Sequence, residues 1–465
     1  MKVLLIKPYA ESHYLVPPLG LGYLVTALRG AGHQAKMLHC VKENVTFETL
    51  AEAVKAENPD VVGFQVVSCD LESTRKSVEI VRRALPKALI LAGGAHPSGN
   101  PEDTMTFLPQ VDFAFRGEAE RTLVSFLEDY QQGGKHYQNI PGLIWRENGN
   151  VKSTPPVFID DLDSLGFCAW DQIQPQTYPQ APHGAFFDRF PISPIITTRG
   201  CPYACTFCAA QTVAGRKIRA HSVGHVLKEI ELLYREYGIR EIHIIDDTFT
   251  QKAKRVKEFA NGMEELRRRG VQVSVGFPNG VRLNTITEDL LRDLKRAGCY
   301  SMLVGIESGS QRILDAMKKG LNLDLVRERV RLIKKAGLTV HAFFIIGFPG
   351  ETEEDIQQTM RFARSLPLDG ALFSCFLPLP GSEITNDLIA CGDLAADFHW
   401  GNLFYSRVTY APRGLTPERL KALQRRATLS FNLQPRVLLS LPLRIKSWYH
   451  FKVLAKKTWD NLFLR

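Results

Sequence analysis

The sequence predicts an α/β protein built from two successive strand–helix series and a basic helical C-terminal segment. Three observations predict it. Short apolar runs alternate with helix-period segments, twice over. A stretch with seven prolines in residues 155–194 separates the two series. The charge is uneven. The 465 residues carry a formal net charge of +9, but residues 413–465 hold twelve Lys or Arg against two acids, and the rest has a net of −1.

In the first series, residues 3–6, 34–39, 61–67, 88–92 and 112–115 read as strands. Residues 19–29, 47–57, 71–84 and 118–130 read as the helices between them. Apolar strands joined by helical crossovers imply a parallel sheet covered on both faces. Residues 1–135 are therefore expected to form a flavodoxin-like, doubly wound domain that binds ligands beyond the carboxyl ends of its strands. Residues 142–153 read as a hairpin turning at Asn148-Gly149. With the prolines that follow, the hairpin makes a connecting segment over residues 136–192.

The second series has strands at 195–198, 241–246, 271–277, 301–306, 339–345 and 371–376. Its helices lie at 225–237, 256–269, 288–297, 325–336 and 353–365. Six βα units suit a partial (βα)6 barrel over residues 193–382, with its chemistry at the carboxyl ends of the strands. Residues 383–465 read as a helical, basic region.

Hydrophobic content of 45% and charged content of 23% exclude a disordered or collagen-like chain. The body has no basic excess, so nucleic acid is not expected as a partner. The apolar run after Met1 stops at Lys7-Pro8, so no secretory signal is expected. No run of 18 apolar residues suits a spanning helix. Nine cysteines in such a chain do not read as a disulfide framework. A cytoplasmic location follows as the expectation. Residues 435–465 mix seven Lys or Arg with three aromatic types and many leucines, a composition suited to peripheral contact with an anionic membrane face. A helical cap with a solvated basic face is the plainer reading of the same residues.

Cys201-Pro-Tyr-Ala-Cys205-Thr-Phe-Cys208 directly follows the first strand of the second series. Three thiolates on one short loop suit an iron–sulfur cluster. A four-iron cluster would keep one iron open to another ligand. Buried structural thiols and structural zinc are the weaker readings; no fourth Cys or His stands at zinc spacing.

This loop, including Phe207, resembles the signature of the radical S-adenosylmethionine (SAM) family. The resemblance implies a [4Fe–4S] cluster on Cys201, Cys205 and Cys208, whose fourth site SAM closes, and cleavage of SAM to a 5′-deoxyadenosyl radical. Further stretches resemble the family's SAM-contacting elements. Ile245-Asp246-Asp247-Thr248-Phe249 ends the second strand, Gly305-Ile306-Glu307-Ser308-Gly309 the fourth, and Ile346-Gly347-Phe348-Pro349-Gly350-Glu351 the fifth. Asn279 and Arg282 follow the third strand, and Pro378-Leu379-Pro380-Gly381-Ser382 the sixth. The resemblance thus implies SAM contacts at Phe207, Asp246, Asp247, Arg282, Glu307, Ser308 and Gly347. Helix capping is the plain alternative for Asp246 and Ser308.

In the first series, Gly93-Gly94-Ala95-His96-Pro97 and Arg116-Gly117-Glu118 follow the fourth and fifth strands. Residues 1–135 resemble the cobalamin-binding domain of one radical SAM subgroup, which includes hopanoid-biosynthesis and anaerobic Mg-protoporphyrin cyclase-like enzymes. The resemblance implies cobalamin contacts at Ser68, Cys69, Gly93, Gly94, His96, Gly117 and Glu118. Gly93 and Gly94 offer a bare backbone edge, and N–H groups after Gly117 could meet a phosphate. A D-x-H-x-x-G motif is absent. His13 lies in the first loop.

The reaction implied is methylation of an unactivated carbon of a small molecule or lipid, with methylcobalamin as donor and flavodoxin or ferredoxin as reductant. One alternative is an oxidative or ring-forming step on a lipid or tetrapyrrole. Another is an RNA- or protein-modifying methylthiotransferase. The second lacks support because the N-terminal domain holds only Cys40 and Cys69.

Overall fold

The computed structural model describes the chain except residues 11–14, 181–186, 396, 405–406 and 464–465. His13 therefore lies outside the described residues. The chain divides into two compact units. One comprises Met1–Gln174, Cys208–Arg219 and Leu379–Asn402; the other comprises Pro175–Phe207, Ala220–Pro378 and Leu403–Arg465.

The first unit contains β1 (Lys2–Lys7), α1 (Leu19–Gly30), β2 (Gln34–His39), α2 (Leu50–Glu57), β3 (Val61–Gln65), α3 (Leu71–Ala84), β4 (Leu89–Gly93), α4 (Ala95–Gly99), α5 (Pro101–Phe107), β5 (Phe113–Phe115), α6 (Glu120–Gln131), β6 (Leu143–Glu147), β7 (Asn150–Ser153) and α7 (Trp170–Ile173). Its sheet runs β2-β1-β3-β4-β5-β6-β7. The first five strands are parallel, in the flavodoxin-like order expected. Val3, Leu4, Leu5 and Ile6 are all buried, so helices do cover both faces. The core joins Val3 and Leu5 to Leu21, Val25 and Leu28 of α1 and to Phe126 of α6.

Three details differ from the sequence reading. The hairpin does not stand apart: β6 pairs antiparallel with β5 and carries the sheet onward through β7. Its turn uses Asn148 and Gly149 at φ 50° and 79°, as the dipeptide predicts. The link between β4 and β5 contains α4 and α5, which are too short to show a helical period. Asn100 caps α5 by accepting the Asp103 N–H at 3.1 Å, with Pro101 at the first position. Helix α2 starts three residues late because Thr49 Oγ1 accepts the Thr46 N–H (3.0 Å) in a turn.

Next along the chain come β8 (Ile192–Ile195), β9 (Thr198–Arg199), α8 (Ala210–Ala214), β10 (Arg219–Ala220), α9 (Val223–Glu236), β11 (Glu241–Ile244), α10 (Ala253–Arg268), β12 (Ser274–Val281), α11 (Glu288–Arg296), β13 (Cys299–Glu307), α12 (Gln311–Ala316), α13 (Leu323–Lys335), β14 (Thr339–Ile346), α14 (Glu353–Ser365) and β15 (Gly370–Cys375). In the second unit six strands line up as β15-β14-β13-β12-β11-β8, all parallel and in chain order. This is the expected partial barrel.

Strand β8 begins three residues earlier than the sequence suggests. It is an edge strand, so Pro194 inside it costs no ladder bond. It stops because the Thr197 N–H is taken by Asp246. Strand β12 is displaced the other way. The Val271 N–H closes α10 on Leu266 O (2.9 Å), which delays the strand to Ser274. At the barrel floor Glu241 is fully buried. It accepts the N–H groups of Asp188 (2.7 Å) and Arg189 (2.6 Å) and the Tyr300 hydroxyl (2.6 Å), tying the entering segment to β11 and β13.

The C-terminal region is helical: α15 (Glu383–Ala390), α16 (Pro417–Asn432), α17 (Pro435–Arg444) and α18 (Trp448–Phe463). Helix α16 buries Leu420, Leu423, Ala427 and Phe431, and Gln424 donates to Phe373 O of β15 at 2.9 Å.

Candidate active site

The three cysteines lie on the loop after β9. None is in a disulfide, and each is half-buried. Gly200 opens the loop at φ 92°, and its carbonyl accepts the Thr248 hydroxyl at 3.1 Å. The Thr206 N–H donates to Met317 O (3.0 Å) and its hydroxyl to Ala316 O (3.3 Å), which laces the loop to the end of α12. Two donors address sulfur. Arg282 Nη1 stands 3.5 Å from Cys205 Sγ, and the Ala210 N–H stands 3.5 Å from Cys208 Sγ. N–H donors and a guanidinium directed at sulfur are the hydrogen bonds that a metal-bound sulfur accepts.

Arg282 follows β12 and is held on three sides. It stacks on the Tyr203 ring at 3.5 Å from the centroid, donates to Lys319 O and reaches Cys205. Lys319 carries the arrangement further. Its Nζ lies 2.6 Å from Glu307 Oε1 and 5.8 Å from the Phe207 ring centroid. Glu307 ends β13 at φ 70°, a conformation non-glycine residues avoid. Gly305 makes room for this pair: a Cβ there would stand 2.4 Å from Glu307 Oε1.

Other residues expected at SAM have protein partners. Asp246 is buried, and its two oxygens accept the Thr197 N–H (2.6 Å) and hydroxyl (2.5 Å). It joins the ends of β8 and β11, while Asp247 beside it is exposed. Ser308 Oγ accepts the Ser310 N–H and meets Thr359 Oγ1 of α14 at 3.1 Å, so this hydroxyl sits inside the packing. Gly347 has φ 81° and Leu420 fills the space a Cβ would need. Its N–H and that of Phe348 donate to Glu351 Oε2 (2.5 and 3.2 Å). Burial pushes the Glu351 carboxyl up to about 8.

Polar capacity is left over at this end of the barrel. Glu351 Oε1, Thr198 Oγ1 and Arg282 Nε are buried without a hydrogen-bond partner among the described residues. Buried polar atoms are seldom left so. Such open positions, after β8, β12 and β14, fit a polar ligand such as SAM. Sequence reasoning missed Lys319, which no motif marks, and Thr198, which precedes the loop by two residues.

The first unit has its own candidate site at the carboxyl ends of β1 and β3, where the strand order reverses. Lys7 ends β1, and Ser68, Cys69 and Asp70 follow β3. Burial lowers the Lys7 ammonium, against the attraction of Asp70. Cys69 is exposed, and partial desolvation with Asp70 beside it pushes its thiol up. A Cβ on Gly93 would find no atom nearer than 3.9 Å, so its bare edge is not required by the protein's own packing. Gly94 is required: at φ 124°, a Cβ would lie 2.7 Å from Val66 O. The open Gly93 edge beside Ser68 fits a large flat cofactor such as a corrin.

Four expectations change here. The Gly117 N–H, expected to face a phosphate, donates to Ser98 Oγ at 2.9 Å. Glu118 is buried, accepting the Ile159 N–H (2.8 Å) and Arg219 Nη1 (2.6 Å), and α6 starts only at Glu120. His96 is buried between Ser68 and Asp103. The Pro-Gly segment expected after the sixth strand packs in the first unit, with Gly381 at φ 79° against Gly99.

Residues 195–363 match the model of the radical SAM superfamily, and residues 8–127 match that of the B12 binding domain. An uncharacterized methyltransferase of Pyrococcus horikoshii is 33% identical over 446 residues, covering 94% of each chain. The chain belongs to the cobalamin-binding radical SAM family. A second relative is the cytidylyl-2-hydroxyethylphosphonate methyltransferase of Streptomyces wedmorensis, 29% identical over 84% of this chain and 82% of that one. The fold is also that of the radical SAM methyltransferase TsrM from Kitasatospora setae, at a TM-score of 0.68 and 21% identity over 85% of this chain and 76% of that chain. This family member is an enzyme, and its cofactors are a [4Fe–4S] cluster, SAM and cobalamin.

Proposed function

We propose that this enzyme methylates an unactivated carbon of a small molecule or lipid, with Cys201, Cys205 and Cys208 as the protein ligands of the cluster. The observation that carries the reading is the three-cysteine loop, with Arg282 and the Ala210 N–H directed at sulfur, in a chain that also has a cobalamin-binding domain. When bound, the three groups supply an electron, a radical initiator and a methyl donor. The protein's own residues position and charge-balance them. Arg282 places a positive charge beside Cys205, and Lys319 pairs with Glu307 next to the Phe207 ring. Glu307, and Asp247 at the open end of β11, accept hydrogen bonds from the ammonium or hydroxyl groups of SAM. Gly347, Phe207 and Glu351 shape the remainder of its pocket. Gly93 and Ser68 meet the corrin. Flavodoxin or ferredoxin supplies the electron.

Anaerobic purification with cobalamin supplied, followed by iron, sulfide and cobalamin counts, is the first test. About four irons and one cobalamin per chain are expected. A Cys205→Ala variant should lose the cluster. Turnover should then yield S-adenosylhomocysteine and 5′-deoxyadenosine in equal amounts. 5′-Deoxyadenosine alone would instead indicate an oxidative or ring-forming step, and methyl transfer would be withdrawn.

The same reading places the protein in the cytoplasm, in contact with the membrane face through its C-terminal helices. Helix α18 is anchored by its inner side: His450 is buried 4.7 Å from the Phe187 ring, and Ser447 donates to Gln180 at 2.6 Å. Its outer side shows Trp448 and Trp459, 68% and 62% exposed, with Lys452 and Lys456 between them. Residues 448, 452 and 459 share one stripe at 3.6 residues per turn. Exposed tryptophans and lysines on one stripe suit an anionic lipid interface. Among the described residues, no helix is long and apolar enough to cross a membrane.

A further inference from the structure

Three side chains in the first unit form a relay that neither domain match assigns. Ser68 follows β3, His96 lies in α4 and Asp103 in α5. His96 is fully buried. Its Nδ1 stands 3.0 Å from Ser68 Oγ, and its Nε2 stands 2.9 Å from Asp103 Oδ2. The backbone holds the same geometry. The His96 N–H donates to Val66 O (3.2 Å), and Val66 N–H to Gly93 O (2.7 Å). Trp400 closes one side, its ring centroid 6.4 Å from that of His96.

The proton positions follow from what each group can do. A carboxylate only accepts, so Nε2 carries the hydrogen and donates it to Asp103. In the neutral imidazole Nδ1 then has only a lone pair. In that tautomer the Ser68 hydroxyl donates inward, to Nδ1. Its remaining lone pairs have no protein partner among the described residues, and Ser68 is half-exposed. The relay thus turns a hydroxyl, which could donate or accept, into a fixed outward acceptor. It does so beside the bare edge of Gly93.

We propose that Asp103 and His96 are positioning residues that hold Ser68 as a hydrogen-bond acceptor for the bound cobalamin. The partner is an N–H or O–H donor of that cofactor: a corrin side-chain amide, or a water on cobalt. This rests on cobalamin binding by the first unit. It adds a reason for Asp103, which no sequence pattern marked. A serine alone at this place would be free to rotate, and the ordering cost would fall on cofactor binding.

The test is cobalamin binding by the cluster-reconstituted, full-length protein, followed by its visible absorbance. Ser68→Ala removes the acceptor. Asp103→Ala removes the group that fixes the imidazole hydrogen, so the proton can move to Nδ1 and Ser68 can turn its O–H outward. Asp103 is partly exposed, so that truncation leaves the packing around His96 in place. Each variant should bind aquacobalamin about three- to tenfold more weakly, the range of one hydrogen bond. Ser68→Thr, which keeps the hydroxyl, should restore binding. Methylcobalamin identifies the donor. Equal weakening for both cobalamins indicates a corrin amide. Weakening for aquacobalamin alone, with a shifted visible band, indicates the water on cobalt. Unchanged affinity and spectra in both alanine variants, with only a lower melting temperature, would overturn the relay and make the triad a structural pin. A wild-type protein that takes up no cobalamin would overturn the cofactor reading, and the relay with it.

Discussion

Glu351 shows how one residue's surroundings set a measurable property of the enzyme. Its carboxyl has an ordinary value of 4.5 and stands at about 8 in the folded protein. Between those values the native state holds a proton that the unfolded chain releases. Stability therefore falls as pH rises from about 4.5 to 8, and levels off above. Glu351→Gln mimics the protonated acid and keeps an oxygen for the Gly347 and Phe348 N–H groups. Thermal melts should show the wild type losing more stability than the variant between pH 6 and pH 8.5. Equal losses would mean that Glu351 is ionised in the fold. Gly347 is a second case. Gly347→Ala combines a positive φ with a collision with Leu420, so a loss of about 1–3 kcal/mol is expected in urea unfolding.

Elements bring these residues to one place. Helix α14 begins with a capping box in which Thr352 and Asp355 satisfy each other's backbone N–H groups. The same Asp355 accepts the Ser310 hydroxyl (2.7 Å) from the segment after β13. Thr352→Ala should cost about 1 kcal/mol in equilibrium unfolding. Asp355→Ala should cost more, because it also releases the Ser310 turn. Arg282 plays the corresponding part for the cysteine loop. Arg282→Lys keeps a charge but loses the flat group that stacks on Tyr203 while donating to Lys319 O and Cys205. Reconstituted iron per chain should fall below the wild-type value in that variant. A full complement of iron would show that the stack is dispensable.

At the scale of the whole molecule, charge and exposed aromatics collect at the C-terminal end. Binding to vesicles with a substantial phosphatidylserine fraction should exceed binding to neutral vesicles, and should weaken with added salt. Trp448→Ala with Trp459→Ala should weaken it further. If removal of residues 435–465 leaves vesicle binding unchanged, the membrane contact fails.

Alternation of apolar runs and helical segments was enough to predict two parallel sheets, since both periods are local properties of the backbone. The cysteine loop was legible for the same reason: its three cysteines lie within eight residues. What the pattern could not show was which polar groups the protein itself would use. Asp246 is taken up by Thr197, 49 residues away, and Glu118 by Arg219, 101 residues away. Ser308 is held by Thr359, and the Gly117 N–H by Ser98. Conversely, Lys319 entered the site and Asp103 joined Ser68 and His96 without any motif. Local patterning was enough for the fold class and for the three-cysteine loop. Which donors and acceptors remain for a ligand is settled in the folded chain, because it depends on hydrogen bonds between segments that meet only when the chain closes.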